Sequence, residues 1–194
     1  MRKQYYELYE AALSKSRAKE DKLMCETLNR LKGKSAEEIL FLAGQEKMAP
    51  VNMDKLFNVW GIQKQASDFT EIEKIEDKGK IYGLVTIIGD DVRIFFGEND
   101  DVKQKRFTAA HEIGHCCLHG DMIKNDYIEF LHNDGFENKH EAAASEFAAK
   151  LLIPSKALNK VYHAIAGLTV EDLSEIFQVP EKLMKLRLKE EKLK

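Results

Sequence analysis

Apolar residues along this chain fall into two textures. Over residues 3–32 they recur at helical intervals, at Leu8, Ala12, Leu23, Leu28 and Leu31, and Gly33 supplies a stop. Ser35-Ala-Glu-Glu reads as an N-cap with acidic first-turn residues, opening a helix through about Ala43. Pro50 breaks the chain and Asn52 or Asp54 starts the next helix, with Leu56, Phe57 and Trp60 on its apolar side and Gly61 at its end. Residues 67–80 are a polar, acidic connection, after which the pattern turns extended. Ile81-Tyr-Gly-Leu-Val-Thr-Ile-Ile is β-branched and apolar, Gly89-Asp90-Asp91 is a turn, and Val92-Arg-Ile-Phe-Phe is a second strand. A hairpin is the predicted result.

Helical texture then returns. Gly97 through Lys105 reads as a charged loop leading to a helix, with Thr108 as its candidate cap and Gly120 as its end. Residues 121–138 show little periodicity and read as mixed loop and short helix. The Ala-rich stretch from about Lys139 to Leu152 predicts a strong helix that Pro154 stops. Two more helices, about 155–166 and 169–177, precede a last one from about 180. No internal repeat or low-complexity linker interrupts the chain, so one α+β unit is expected, mainly helical with a small sheet.

Composition narrows the class. The chain has 194 residues, long enough for one domain with a substantial core. Its 44% hydrophobic and 32% charged content excludes a disordered chain. A net charge of −3 supplies no global basic field for nucleic acid. No run approaches the roughly 18 apolar residues of a membrane span, and Met1 to Tyr9 lacks the apolar stretch of a signal peptide. Three cysteines, Cys25, Cys116 and Cys117, are an odd count with an adjacent pair, which is no disulfide framework. These features favour a soluble protein of the reducing cytoplasm.

The chemistry is concentrated in His111-Glu112-Ile113-Gly114-His115. A helix advances about 100° per residue, so His111 and His115 share a face about 6 Å apart along the axis and can converge on one ion. Glu112 lies beside the pair, placed to take a proton from a water on that ion rather than to ligate. This is the HExxH pattern of zinc peptidases. A catalytic zinc needs a third protein ligand. His119 continues the spacing, but lies about 12 Å along the axis from His111, beyond the reach of bonds of about 2 Å. Cys116 faces away from the pair and Cys117 is poorly directed, so both read better as small core residues. In the extended HExxHxxGxxH pattern Asp121 would be the last ligand, but Leu118 stands where the bending glycine belongs. A second helix supplies a ligand more easily: Glu141 opens a segment in which Ala142, Ala143 and Ala144 leave little bulk against a neighbour. His132 and His140 remain alternatives by spacing.

Taken together, Arg106-Phe-Thr-Ala-Ala-His-Glu-Ile-Gly-His115 and Glu141-x-x-Ala144-x-x-Phe147-Ala-Ala-x-Leu151-Leu152-x-Pro154 resemble the ImmA/IrrE family of metallopeptidases, whose pattern reads RFTxAHExGH and then ExxANxFAAxLLxP. Pro50-Val-Asn-Met-Asp-Lys-Leu, followed by Gly61-Ile62, looks like the family's PVDLxxIxxxxGI helix, and the resemblance covers roughly residues 45–190. Ser145 stands where the family pattern has asparagine, a departure on the third-ligand helix that bears on its support of the site.

The resemblance implies His111, His115 and Glu141 as ligands of Zn2+ and Glu112 as general base, in a gluzincin-type, zincin-like fold. It implies a metallopeptidase domain over 49–168, preceded by a helical extension (1–48) and closed by a helix-turn-helix-like segment (169–194) packed on it. Val92–Phe96 is the expected edge strand for pairing with an extended peptide. Tyr127, His119, His132 and His140 are candidate oxyanion donors by residue type. The implied biology is regulatory: cleavage, or non-proteolytic sequestration, of a helix-turn-helix repressor in a mobile element or stress response. The last segment raises a DNA-binding alternative, with six cations against three glutamates from Glu181 to Lys194. A solvated amphipathic helix explains that small surplus as well, so nucleic acid is not an expected partner.

Overall fold

The computed structural model describes residues 25–70, 82–88, 91–123 and 137–193. Expectations for residues 3–24, for most of the 67–80 connection, and for Tyr127 and His132 lie outside these residues.

The first helices form where local signals place them. Helix α1 (Glu26–Leu31) buries Leu28 and Leu31. Helix α2 (Ala36–Leu42) opens on Ser35, whose hydroxyl accepts from the Glu38 amide while Glu38 reaches back to the Ser35 amide. Helix α3 (Met53–Trp60) opens on Asn52, whose side chain accepts from the Lys55 amide. Gly61 closes it at φ 69°, a left-handed conformation that favours glycine. Leu56, Phe57 and Trp60 are buried, as the helical spacing requires.

Among the described residues the sheet holds three strands in the order β1-β3-β2. The predicted hairpin is formed by β2 (Gly83–Ile88) and β3 (Asp91–Gly97), antiparallel, with Val85 opposite Ile94. The third strand, β1 (Gln63–Ser67), pairs parallel to the other side of β3, with Lys64 opposite Ile94. Its polar, largely exposed residues carry no strand signal of their own, and it is extended because β3 offers a ladder. This order corrects the expected edge: Val92–Phe96 is the central strand, its backbone engaged on both sides, and among the described residues β1 and β2 are the outer strands.

Helix α4 (Val102–Leu118) carries the HExxH residues. Its cap is Asp101, which accepts from the Gln104 amide, not Thr108. Thr108 lies inside the helix, 3% exposed, and its hydroxyl accepts from the Gln104 amide side chain. Both residues are competent caps, and the chain uses the earlier one, which brings Lys103 and Arg106 into the helix, half-buried against Ser174, Glu175, Val51 and Gln178. A short 3-10 turn (Gly120–Met122) follows.

Helix α5 (Glu137–Leu152) packs along α4 at a close crossing. A Cβ on Gly114 would sit 3.1 Å from the Ala144 carbonyl oxygen and 3.2 Å from its Cα, so hydrogen on one side and a methyl on the other set the separation. Ile113, Leu151, Leu152 and Ile153 are fully buried with Leu28, Leu31 and Ile39, so the helix pair rests on the core built by α1–α3.

Helices α6 (Ser155–Ala164), α7 (Val170–Phe177) and α8 (Glu181–Glu190) complete the described chain. The last is anchored by Arg187, only 2% exposed, which donates to the Ile153 carbonyl at 3.2 Å and to Ser155 Oγ at 3.0 Å and pairs with Glu190 and Glu191. A buried guanidinium with this many partners costs about 3 kcal/mol or more to unpair. Arg106 makes a second tie, donating to the carbonyls of Val51 and Gln178. No helix among the described residues is long and apolar enough to cross a membrane.

Candidate metal centre

The α4 face that carries His111 and His115 turns toward the start of α5. His111 Nε2 lies 2.9 Å from His115 Nε2 and 3.0 Å from Glu141 Oε2. The other Glu141 oxygen is 3.1 Å from His115 Nε2. Among the described residues this is the one cluster of three or more His, Cys, Asp or Glu side chains able to hold a metal. The i, i+4 spacing brings the imidazoles together, and the rings meet nearly edge-on, centroids 4.7 Å apart.

Three electron-pair donors converge here in a site mostly removed from water. His111 is 9% exposed and His115 2%. Burial opposes a charged His111, but its hydrogen bond with Glu141 and the negative charges of Glu112 and Glu141 outweigh burial and raise its pKa above the ordinary 6.5. Burial likewise pushes Glu141 up, yet its bonds to His111 and His115 hold its carboxyl down at about 2. Two neutral imidazoles and one carboxylate suit a tetrahedral divalent ion with one open position. Donors about 2.1 Å from such an ion lie about 3.4 Å apart, close to the separations of 2.9, 3.0 and 3.1 Å seen here. The residues therefore fit a bound Zn2+.

Glu112 points elsewhere. It is 4% exposed and lies under the first residue of β2: a Cβ added to Gly83 would stand 3.2 Å from Glu112 Oε1 and collide with Thr108 Cγ2. Burial raises the Glu112 pKa, against the positive influence of His115 and His111. A cation on the neighbouring donors would draw it back down. A carboxyl tuned by burial and charge beside a cluster of potential metal donors is equipped to take and return a proton.

The other candidates stand around this cluster. His119 caps the end of α4, with its Nδ1 against His115 Nδ1 at 3.1 Å, the nitrogen opposite the convergent one. Its ring stacks on His140 at 4.3 Å, and burial followed by the positive influence of His115 and His140 lowers its pKa to about 4. Asp121 is exposed and paired with Lys32. Cys116 and Cys117 are buried, and desolvation raises both thiols, Cys117 to about 12, so they pack as neutral core residues. Two contacts escaped the sequence reasoning. Gly83 lies against the candidate base, and Ser145 places its hydroxyl 3.3 Å from His111 Nδ1. The i, i+4 relation of Glu141 to Ser145 was the available signal for the second.

Comparison with known proteins gives an independent line. Residues 78–189 match the peptidase family model described as the IrrE N-terminal-like domain. Metallopeptidase ImmA of Bacillus subtilis (strain 168) is 28% identical over 117 residues, which is 58% of this chain and 68% of that protein.

Proposed function

Because the chain belongs to the IrrE N-terminal-like peptidase family, we propose that it is a zinc-dependent endopeptidase that cleaves a regulatory protein, a helix-turn-helix repressor, in the cytoplasm. The observation that carries the reading is the convergence of His111, His115 and Glu141 beside the buried Glu112 carboxyl. A bound Zn2+ supplies Lewis acidity, polarising a peptide carbonyl and acidifying a water.

The chain's own residues supply the rest. His111, His115 and Glu141 are the ligands. Glu112 accepts the proton of the attacking water and returns it to the departing amine. The substrate lies extended along β2, which pairs only with β3 among the described residues and begins at Gly83 against Glu112. That arrangement carries a peptide bond past the base. The resemblance of the two site motifs to ImmA/IrrE proteins supports a repressor as substrate.

The test is co-expression with a candidate helix-turn-helix repressor, comparing the intact protein with Glu112→Gln. Repressor fragments that vanish in the variant support proteolysis. A repressor that stays whole with both proteins while its target genes are released points to sequestration and overturns cleavage.

A further inference from the structure

We propose that Ser145 is a positioning residue for the metal centre: its hydroxyl holds His111 in the tautomer whose Nε2 is left open to bind the cation. The inference rests on the proposed metal centre and goes beyond its ligand set. Glu141 and Ser145 stand one turn apart on the same face of α5, and both address the same ring. Glu141 Oε2 is 3.0 Å from His111 Nε2, and Ser145 Oγ is 3.3 Å from Nδ1.

A neutral imidazole carries one N–H. If Nε2 binds a cation, the hydrogen sits on Nδ1 and needs an acceptor, which the Ser145 oxygen provides. Without it, the Nδ1–H of a ring only 9% exposed would lose its partner. His115 follows the same rule, its Nδ1 facing His119. Both candidate ligands thus have their outer nitrogens against neutral groups.

The surrounding sequence sharpens the point. Ser145 follows Ala142, Ala143 and Ala144 inside a helix, where serine is a poorer helix former than alanine.

The test uses the metal-free full-length protein, titrated with Zn2+ against a chromophoric chelator of known affinity, for the wild type, Ser145→Ala and Ser145→Thr. Unfolding of each metal-free variant checks the fold, which alanine should preserve. Ser145→Ala should weaken Zn2+ binding about ten- to hundredfold and shift the visible spectrum of the Co2+-loaded protein. Ser145→Thr, which keeps the hydroxyl, should bind within about threefold of wild type. Equal affinities and spectra for wild type and Ser145→Ala would overturn the role of Ser145 alone, as would a threonine variant as weak as the alanine one. A wild-type protein that takes up no Zn2+ would overturn the metal centre, and this role with it.

Discussion

Replacing Gly114 with alanine sets two effects of similar size against each other. A helix-interior glycine costs about 1 kcal/mol relative to alanine, so propensity favours the change. Packing opposes it. The new methyl would stand 3.2 Å from Ala144 Cα and 3.3 Å from Phe147 Cβ, whereas relaxed carbon contacts need about 3.5–4.0 Å. Helix α5 must therefore retreat by about 0.3–0.6 Å, and overpacking of this kind costs about 1–3 kcal/mol. The expected net loss is about 0–2 kcal/mol, or a fall in Tm of about 2–4 °C for each kcal/mol.

The larger consequence falls on the site. Glu141 belongs to the helix that moves, while His111 and His115 belong to the helix that carries the new methyl. Metal–ligand distances tolerate only about 0.2 Å. Zn2+ affinity should fall about tenfold or more, equivalent to about 1.4 kcal/mol, while far-UV circular dichroism stays unchanged. Thermal unfolding of the metal-free protein and competitive Zn2+ titration measure the two effects separately. A Gly114→Ala protein that is more stable than wild type and binds Zn2+ equally well would refute the claim that this crossing aligns the donors.

The donor cluster should also shape stability against pH in the metal-free protein. His111 has its pKa raised above 6.5, so its contribution is fully present below 6.5 and lost as pH rises through the higher folded value. Glu141 is held at about 2 against an ordinary 4.5, so its contribution is present above 4.5 and lost as pH falls toward about 2. Urea unfolding should therefore find this contribution greatest between pH 4.5 and 6.5, and Glu141→Gln should flatten both limbs; equal slopes in the two proteins would contradict the pairing. Gly83→Ala should lift β2 from Glu112 and Thr108, lowering kcat about tenfold or more with Zn2+ content unchanged. Adding Thr108→Ala removes the colliding methyl and should recover part of that loss, and no recovery in the double variant would mean that the collision is not the cause.

The elements legible in the sequence are those whose signals are local. Ser35, Asn52 and Gly61 cap helices through side-chain bonds or a left-handed φ that involve only their neighbours, and each lies where its residue type predicts. Strand β1 was invisible because Gln63-Lys-Gln-Ala-Ser has neither alternation nor β-branching; it is made a strand by β3, thirty residues later in the chain. The same long-range pairing turned Val92–Phe96 from expected edge to centre. At the cap of α4, Asp101 and Thr108 are both suitable residues, and local chemistry could not choose between them. His111, Glu112 and His115 are arranged by one helix, so their mutual geometry follows from periodicity alone. Glu141, Ser145 and Gly83 reach the same place from other elements, and only the packing of α5 and β2 onto α4 reveals their distances.

That division has a physical consequence for how the centre works. The two imidazoles and the candidate base ride on α4, while the Glu141 carboxylate and the hydroxyl behind His111 ride on α5, so the crossing at Gly114 and Ala144 is part of the candidate site as much as those side chains are. Loop-borne donors could adjust to a displaced ion, but donors on two helices rooted in one core cannot move independently of it. Small residues at the crossing thus perform two tasks: they let the helices approach, and they fix the separation at which three donors meet. Glu112 is set by a third element, since only a glycine at position 83 lets β2 lie this close to its carboxyl. Chemistry that resembles a five-residue motif in the sequence is, in the folded chain, a property of two helices and a strand held in register.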